Sequence, residues 1–335
     1  MNLVVSQVIK RSYILTTILG ILLSAALATT CYGQKTKVNV FNVNFPDPTV
    51  IRVNDVYYAY ATNGTIDGKN YNIPVAVSKD LQVWEIAGDA LPARPVWADK
   101  DFWAPHVLFD PLMSKFILFY SGEKGEKTGK CLGVAFSDNP LGPFTDKGSP
   151  LVCGTGFVNI DPFAFIDPET GKKLLYWGSG HKPIRVQELS DDWRTFTPGS
   201  KPSFLVHPSQ EQTYDSLIEG TWIDYHKGTY YLYYSGDNCC GPNVNYAVLV
   251  AKSKSALGPF VSMANGKQLE SSAIVKKDEK WLAPGHNSIF KDSKGKTYIA
   301  YHAIPVHQNP AEQTYNTRVL LIKGISYKKG WPVVK

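Results

Sequence analysis

Three carboxylates and a histidine stand out for their positions along the chain. Asp47, Asp161, Glu219 and His286 each begin one of five segments that resemble each other, the remaining segment starting at Ala104. The segments are DPTVIRVNDVYYAYAT from Asp47, APHVLFDPLMSKFILFYSG from Ala104 and DPFAFIDPETGKKLLYWGS from Asp161. They continue with EGTWIDYHKGTYYLYYSG from Glu219 and HNSIFKDSKGKTYIAYHA from His286. If the five starts converge in space, three acids share one pocket. Like charges in a confined site raise at least one pKa and keep a group protonated near neutral pH. Hydrolysis of a glycosidic bond needs that division of labour. One carboxylic acid protonates the departing oxygen, while another carboxylate activates water or attacks carbon. Taken singly these residues say little, since Asp-Pro is a common turn element and Glu before Gly is a weak signal; the shared phase singles them out. A histidine among carboxylates suits holding a metal, a water or an acid, or a purely structural role.

The elements that must position these groups follow the same repeat. Each segment runs from a polar or small start through a short apolar strand and a polar turn into a strongly aromatic strand. Asn54-Asp55, Lys227-Gly228 and Lys294-Gly295 supply turn residues in the middle. A third strand follows each, as in VAVSKDLQVWE and YAVLVAKSKSALGPF, and the pieces DNPLGPF and KSALGPF are near copies. The starts recur every 57 to 67 residues, a period suited to four-stranded blades with loops. Helical periodicity is weak. The expected fold is all-β, a five-bladed β-propeller over residues 34–335, with the innermost strands lining the axis so that equivalent positions meet at one end of it. A β-sandwich would have no reason to keep five units in phase.

Composition narrows the function classes. Charged residues are 19% and hydrophobic residues 44%, which favours a packed core over disorder. The chain has no Gly-rich phosphate loop, no CxxC pair and no HExxH. Residues 1–33 read as a secretory signal peptide: Lys10 and Arg11 precede an apolar run that is short for a membrane span, and small residues follow. The protein is therefore expected to be secreted or periplasmic. Lipidation at Cys31 is the weaker alternative, because Thr29-Thr30 makes a poor lipobox. Loss of the leader takes the formal net charge from +6 to +4, and no Lys/Arg cluster is present, so no nucleic-acid partner is expected. The mature chain keeps Cys131, Cys153, Cys239 and Cys240, which export would allow to oxidise. A Cys131–Cys153 bridge and a vicinal Cys239–Cys240 bridge are both compatible with the sequence, which does not choose between pairings.

At the level of whole motifs the chain resembles glycoside hydrolase family 43. The landmarks appear in order: FPDPTVIR, FWAPHV, NIDPFAFID, IEGTW, PGHNSIF, then Arg318 before an apolar strand ending in GWP. They span Phe45 to Pro332, nearly the whole mature chain. The resemblance implies an inverting hydrolase acting on pentose glycosides of plant cell walls, with Asp47 as general base and Glu219 as general acid. Asp161 would tune and orient the acid. It also implies that Trp103, beside Ala104, walls the bound sugar and that Arg318 reaches toward it. Phe163 and Trp222 are expected to line the pocket or else to belong to the core. His286 corresponds to a residue that in some relatives helps hold an axial calcium, largely through waters; no cofactor is needed for the chemistry.

Within this frame α-L-arabinofuranosides are the expected substrates and β-xylosides the alternative, since the two differ in pocket shape and not in catalytic residues. A non-catalytic sugar-binding propeller would be expected to lack one of the three carboxylates. A retaining fructan-cleaving relative would show NDPN-like and Arg-Asp-Pro motifs, which are absent. A monomer is expected.

Overall fold

The computed structural model describes residues 39–125, 129–209 and 214–335; the expected leader lies outside them. Five antiparallel sheets of four or five strands account for nearly all the described structure, and they follow one another along the chain as five blades. The innermost strands are Thr49–Val53, Lys100–Asp110, Phe163–Ile166, Ile218–Tyr225 and Trp281–Lys291. Each pairs with the aromatic strand after it, which pairs in turn with a third strand.

Ring closure comes from a segment that the repeat did not include. Asn39–Phe41 adds as the outermost strand of blade five, with Asn39 opposite Ile322 and Phe41 opposite Leu320. The first strand and the last blade are thereby stitched together, and a ring without a free seam results.

Packing reports the same closure. The five large hydrophobic clusters each lie between consecutive blades, including one between the fifth and the first that joins Val50, Ala59 and Ala76 to Phe290, Leu320 and Ile322. Each aromatic strand buries a tyrosine near its end, at one of two adjacent positions: Tyr60 and Tyr176 opposite Thr49 and Phe163, and Tyr120, Tyr234 and Tyr301 one residue further along, all 0–1% exposed. Each such ring removes about 150–250 Å² from water. At about 25 cal/mol per Å² that is about 4–6 kcal/mol of gross hydrophobic stabilisation per tyrosine. No helix among the described residues is long and apolar enough to cross a membrane.

Cysteine pairing is local. Cys131 and Cys153 face each other across two strands of blade two and are bonded, and Cys239 is bonded to Cys240.

Candidate active site

At one end of the axis each inner strand has a residue in the left-handed backbone region, two residues before the strand in blades one and three and within it in the others. These are Asp47 (φ 56°), Ala104 (48°), Asp161 (60°), Gly220 (60°) and His286 (48°). The fourth member corrects the expected phase, which had Glu219 there. Strand register shows the offset directly: Glu219 pairs with Ser235 just as Trp103 pairs with Ser121 and Gly285 with His302, one residue before the bulge. Glu219 therefore shares its place with Trp103, one step nearer the mouth than Asp47 and Asp161. Gly220 has a reason to be glycine, since a Cβ there would lie 3.3 Å from both His286 Nδ1 and Ser235 Oγ. The non-glycine members of the ring each hold a conformation that costs roughly 1–2 kcal/mol, strain of the kind that collects at functional sites.

The ring is held by the preceding blade. The N–H groups of Ala104, Asp161, His286 and Asp47 donate to Thr62 Oγ1, Ser121 Oγ, Ser235 Oγ and His302 Nδ1, at 2.7 to 3.2 Å. Blade three breaks the pattern. Its aromatic strand places Gly178 at the matching position and pushes Ser179 one residue outward, so Ser179 Oγ donates to Glu219 Oε2 at 2.5 Å. The Gly220 N–H, left without a serine, donates to Asp161 Oδ2 at 2.9 Å.

Asp47 is 8% exposed. Its Oδ1 accepts from Arg318 Nη1 at 3.0 Å, and its Oδ2 accepts from Thr62 Oγ1 at 2.6 Å. Because the Thr62 hydroxyl already accepts from Ala104, its proton is free to point at Asp47. Burial alone would raise the Asp47 pKa, but the Arg318 guanidinium and His286 beside it hold the carboxyl well below its usual range. Its negative charge is thereby favoured despite burial. The His302 imidazole is lowered to about 4, chiefly by burial, and so accepts the Asp47 N–H as a neutral ring.

Asp161 has the opposite electrostatics. Burial and the neighbouring charges of Glu219 and Asp47 push its pKa well above the usual value. The repulsion expected from three clustered acids thus falls on the residue assigned to tune the acid. Glu219 is half-buried and fixed through both oxygens, Oε1 accepting from Tyr246 Oη at 2.9 Å. Tyr246 fits only because residue 285 is glycine: a Cβ there would lie 1.9 Å from its ring.

A carboxyl whose folded pKa is raised subtracts stability as pH climbs from its unfolded pKa, about 3.9, toward the folded one. Asp161→Asn stays neutral at every pH. It is expected to melt with wild type near pH 3 and at a higher temperature than wild type at pH 7, as followed by circular dichroism. A melting difference that does not change between the two pH values contradicts the assignment.

These groups open onto a cavity of about 640 Å³ lined by Asp47, Asp161, Glu219, His286, Arg318 and Trp103, among others. Trp103 lies parallel to Phe157, ring centroids 6.2 Å apart, with Lys130 Nζ 4.1 Å from its own centroid. Ala104 is buried and serves through its N–H. Phe163 and Trp222 do not line this cavity. They pack on each other, 4.5 Å between centroids, and on His106, and border a separate cavity of about 370 Å³ formed further along the inner strands. Strand rise explains the correction: two or three residues past the bulge carry a side chain about 7–10 Å down the channel.

Thr62, Ser179, Tyr246 and His302 were not picked out from the sequence. A signal existed for three of them, since the aromatic strands end in YAT, YSG, WGS, YSG and YHA, a hydroxyl or histidine at nearly one phase. For calcium, His286 Nδ1 faces Asp47 Oδ1 at 3.4 Å and Asp161 Oδ2 at 3.8 Å. Among the described residues no three His, Cys, Asp or Glu side chains group as a metal cage. A cation beside His286 would take most of its six to eight ligands from water, and no step below depends on one.

The arrangement has relatives of known sequence and structure. Residues 37–332 match the family model described as glycosyl hydrolases family 43. An extracellular exo-α-(1→5)-L-arabinofuranosidase of Cellvibrio japonicus is 27% identical over 320 residues, covering 87% of this chain and 86% of its own. An extracellular endo-α-(1→5)-L-arabinanase of Bacillus subtilis is 25% identical over 300 residues, covering 85% and 86%. Among solved structures, an endo-1,4-β-xylanase of Bacteroides thetaiotaomicron superposes with a TM-score of 0.72 at 28% identity, covering 89% of this chain and 97% of that one. With its family model matched over almost the whole propeller, this chain belongs to glycosyl hydrolase family 43.

Proposed function

We propose that the protein hydrolyses α-L-arabinofuranosyl linkages of plant cell-wall arabinan, by inversion, after export from the cell. The observation that carries the chemistry is the contrast between two carboxyls of one cavity: Asp47, held well below the usual range by Arg318 and His286, and Asp161, pushed well above it by burial and the charges of Glu219 and Asp47. A water beside Asp47 attacks the anomeric carbon as the carboxylate takes its proton. The bond from that carbon to the glycosidic oxygen breaks, and Glu219 delivers its proton to the leaving oxygen. Ser179 and Tyr246 aim the acid; Arg318 and Thr62 aim the base. The arabinan specificity and the export draw on the two extracellular relatives that act on α-(1→5)-L-arabinan linkages. A β-xyloside reading keeps a place because of the structurally similar xylanase.

Digestion of linear arabinan and of xylo-oligosaccharides by the purified protein separates the two. Free arabinose or arabino-oligosaccharides are expected, and release of xylose alone contradicts the arabinan reading. Arabinose as sole product means terminal cleavage; oligosaccharides mean internal cleavage.

A further inference from the structure

The loop between strands Tyr230–Gly236 and Ala247–Ser253 of blade four reads Asp-Asn-Cys-Cys-Gly-Pro-Asn-Val-Asn-Tyr, and its function is not accounted for by the catalytic groups. Both cysteines line the cavity that holds the carboxylates. They are bonded to each other, so the two sulfurs and the peptide between them form one small closed ring. Cys239 is half-buried against the cluster of Tyr246, Ala283 and Ile304, whereas Cys240 is exposed at the rim. The loop is tied down on both sides. Asn245 N donates to Asn238 O at 3.1 Å, Asn245 Nδ2 to Asp237 Oδ2 at 2.8 Å, and Gly241 N to Tyr315 O at 3.3 Å. A preorganised, weakly polar surface is therefore presented to the cavity, with little ordering left for a ligand to impose.

Its position gives the surface a partner. Around a five-membered ring the junction of blades four and five, where the loop sits, lies opposite blade two, which carries Trp103. One wall of the cavity is then the Trp103–Phe157 pair, and the other is disulfide. Sugars have apolar C–H faces that suit aromatic rings and polarizable sulfur alike. The carboxylates lie at the floor, and Cys240 and Phe157 are exposed at the rim. Glu219, which protonates the departing oxygen, is also the carboxylate linked to this loop, through Tyr246. We propose that the Cys239–Cys240 disulfide is a binding ledge for the sugar on the leaving-group side of the scissile bond. The proposal rests on the arabinofuranosidase reading above.

The test compares the full mature protein with a Cys239→Ser/Cys240→Ser variant on two substrates. Arabinobiose places a ring on the leaving side, and α-L-arabinofuranosyl fluoride places none. The variant is expected to show KM for arabinobiose raised about tenfold, a loss of about 1.4 kcal/mol, with kcat within about twofold on that substrate and both constants unchanged on the fluoride. Equal changes on the two substrates, or none, overturn the ledge, as does mass mapping that finds free thiols at both positions in the active protein. Should the variant not fold, Glu219→Gln in a Cys131→Ala/Cys153→Ala background is titrated with arabinotriose before and after a phosphine reductant. Weaker binding on reduction is expected, and unchanged affinity overturns the proposal. A wild type inactive on both substrates and on linear arabinan sinks the reading above, one active on arabinan alone is compared with its variant on longer arabino-oligosaccharides, and an active wild type whose variant behaves identically sinks only the ledge.

Discussion

Asp47→Asn is expected to lower kcat by about 10²- to 10⁴-fold on every substrate, whatever its leaving group. The carboxylate is where the attacking water loses its proton, and that need does not change with the departing group. Asn is a close isostere, and its amide oxygen can still accept from Arg318 and its amide nitrogen can donate to Thr62 Oγ1. The loss would therefore report the missing negative charge and not a displaced side chain. The groups around Asp47 are built to preserve that charge, since Arg318 at 3.0 Å and His286 at 3.4 Å more than offset its burial. Steady-state kinetics on a nitrophenyl arabinofuranoside and on arabinotriose provide the comparison. A loss under about tenfold on either would remove Asp47 from the role of base.

Glu219→Gln is expected to divide substrates by leaving group. Arabino-oligosaccharides, whose departing alkoxide needs a proton, should lose about 10²- to 10⁴-fold in kcat, and a dinitrophenyl arabinofuranoside far less. Gln keeps one carbonyl oxygen for Ser179 or Tyr246, so the side chain stays near its native position while losing the proton it would deliver. An equal loss on both substrates would mean that Glu219 positions the sugar and is not the acid.

The repeat that revealed the three carboxylates was legible because blades are local units: each strand pair is contiguous in sequence and carries its own turn. The conformation at the start of each inner strand was not. Ala gives no residue-type signal for left-handed backbone and the enrichment of Asp and His there is too weak to mark single positions, so the one-residue offset between Glu219 and Gly220 became visible only through strand pairing. Phe163 and Trp222 illustrate a related loss. Their types suit a sugar wall, and depth along the channel, set by counting from the bulge, decides against it. Several groups that hold the acids come from a neighbouring blade, as His302 of blade five does for Asp47 of blade one at a separation of 255 residues, and no local pattern encodes such a pairing. The closing strand Asn39–Phe41 is three residues long, too short for periodicity to mark it, and its partner lies at the far end of the chain.

The most direct measurement of the central claim is proton NMR of the sugar anomer first formed from arabinotriose. Base-assisted attack by water opposite the leaving group predicts β-L-arabinofuranosyl hemiacetal before mutarotation. Appearance of the α anomer first would require a covalent sugar–carboxylate intermediate and contradict the assignment of Asp47 and Glu219 as base and acid.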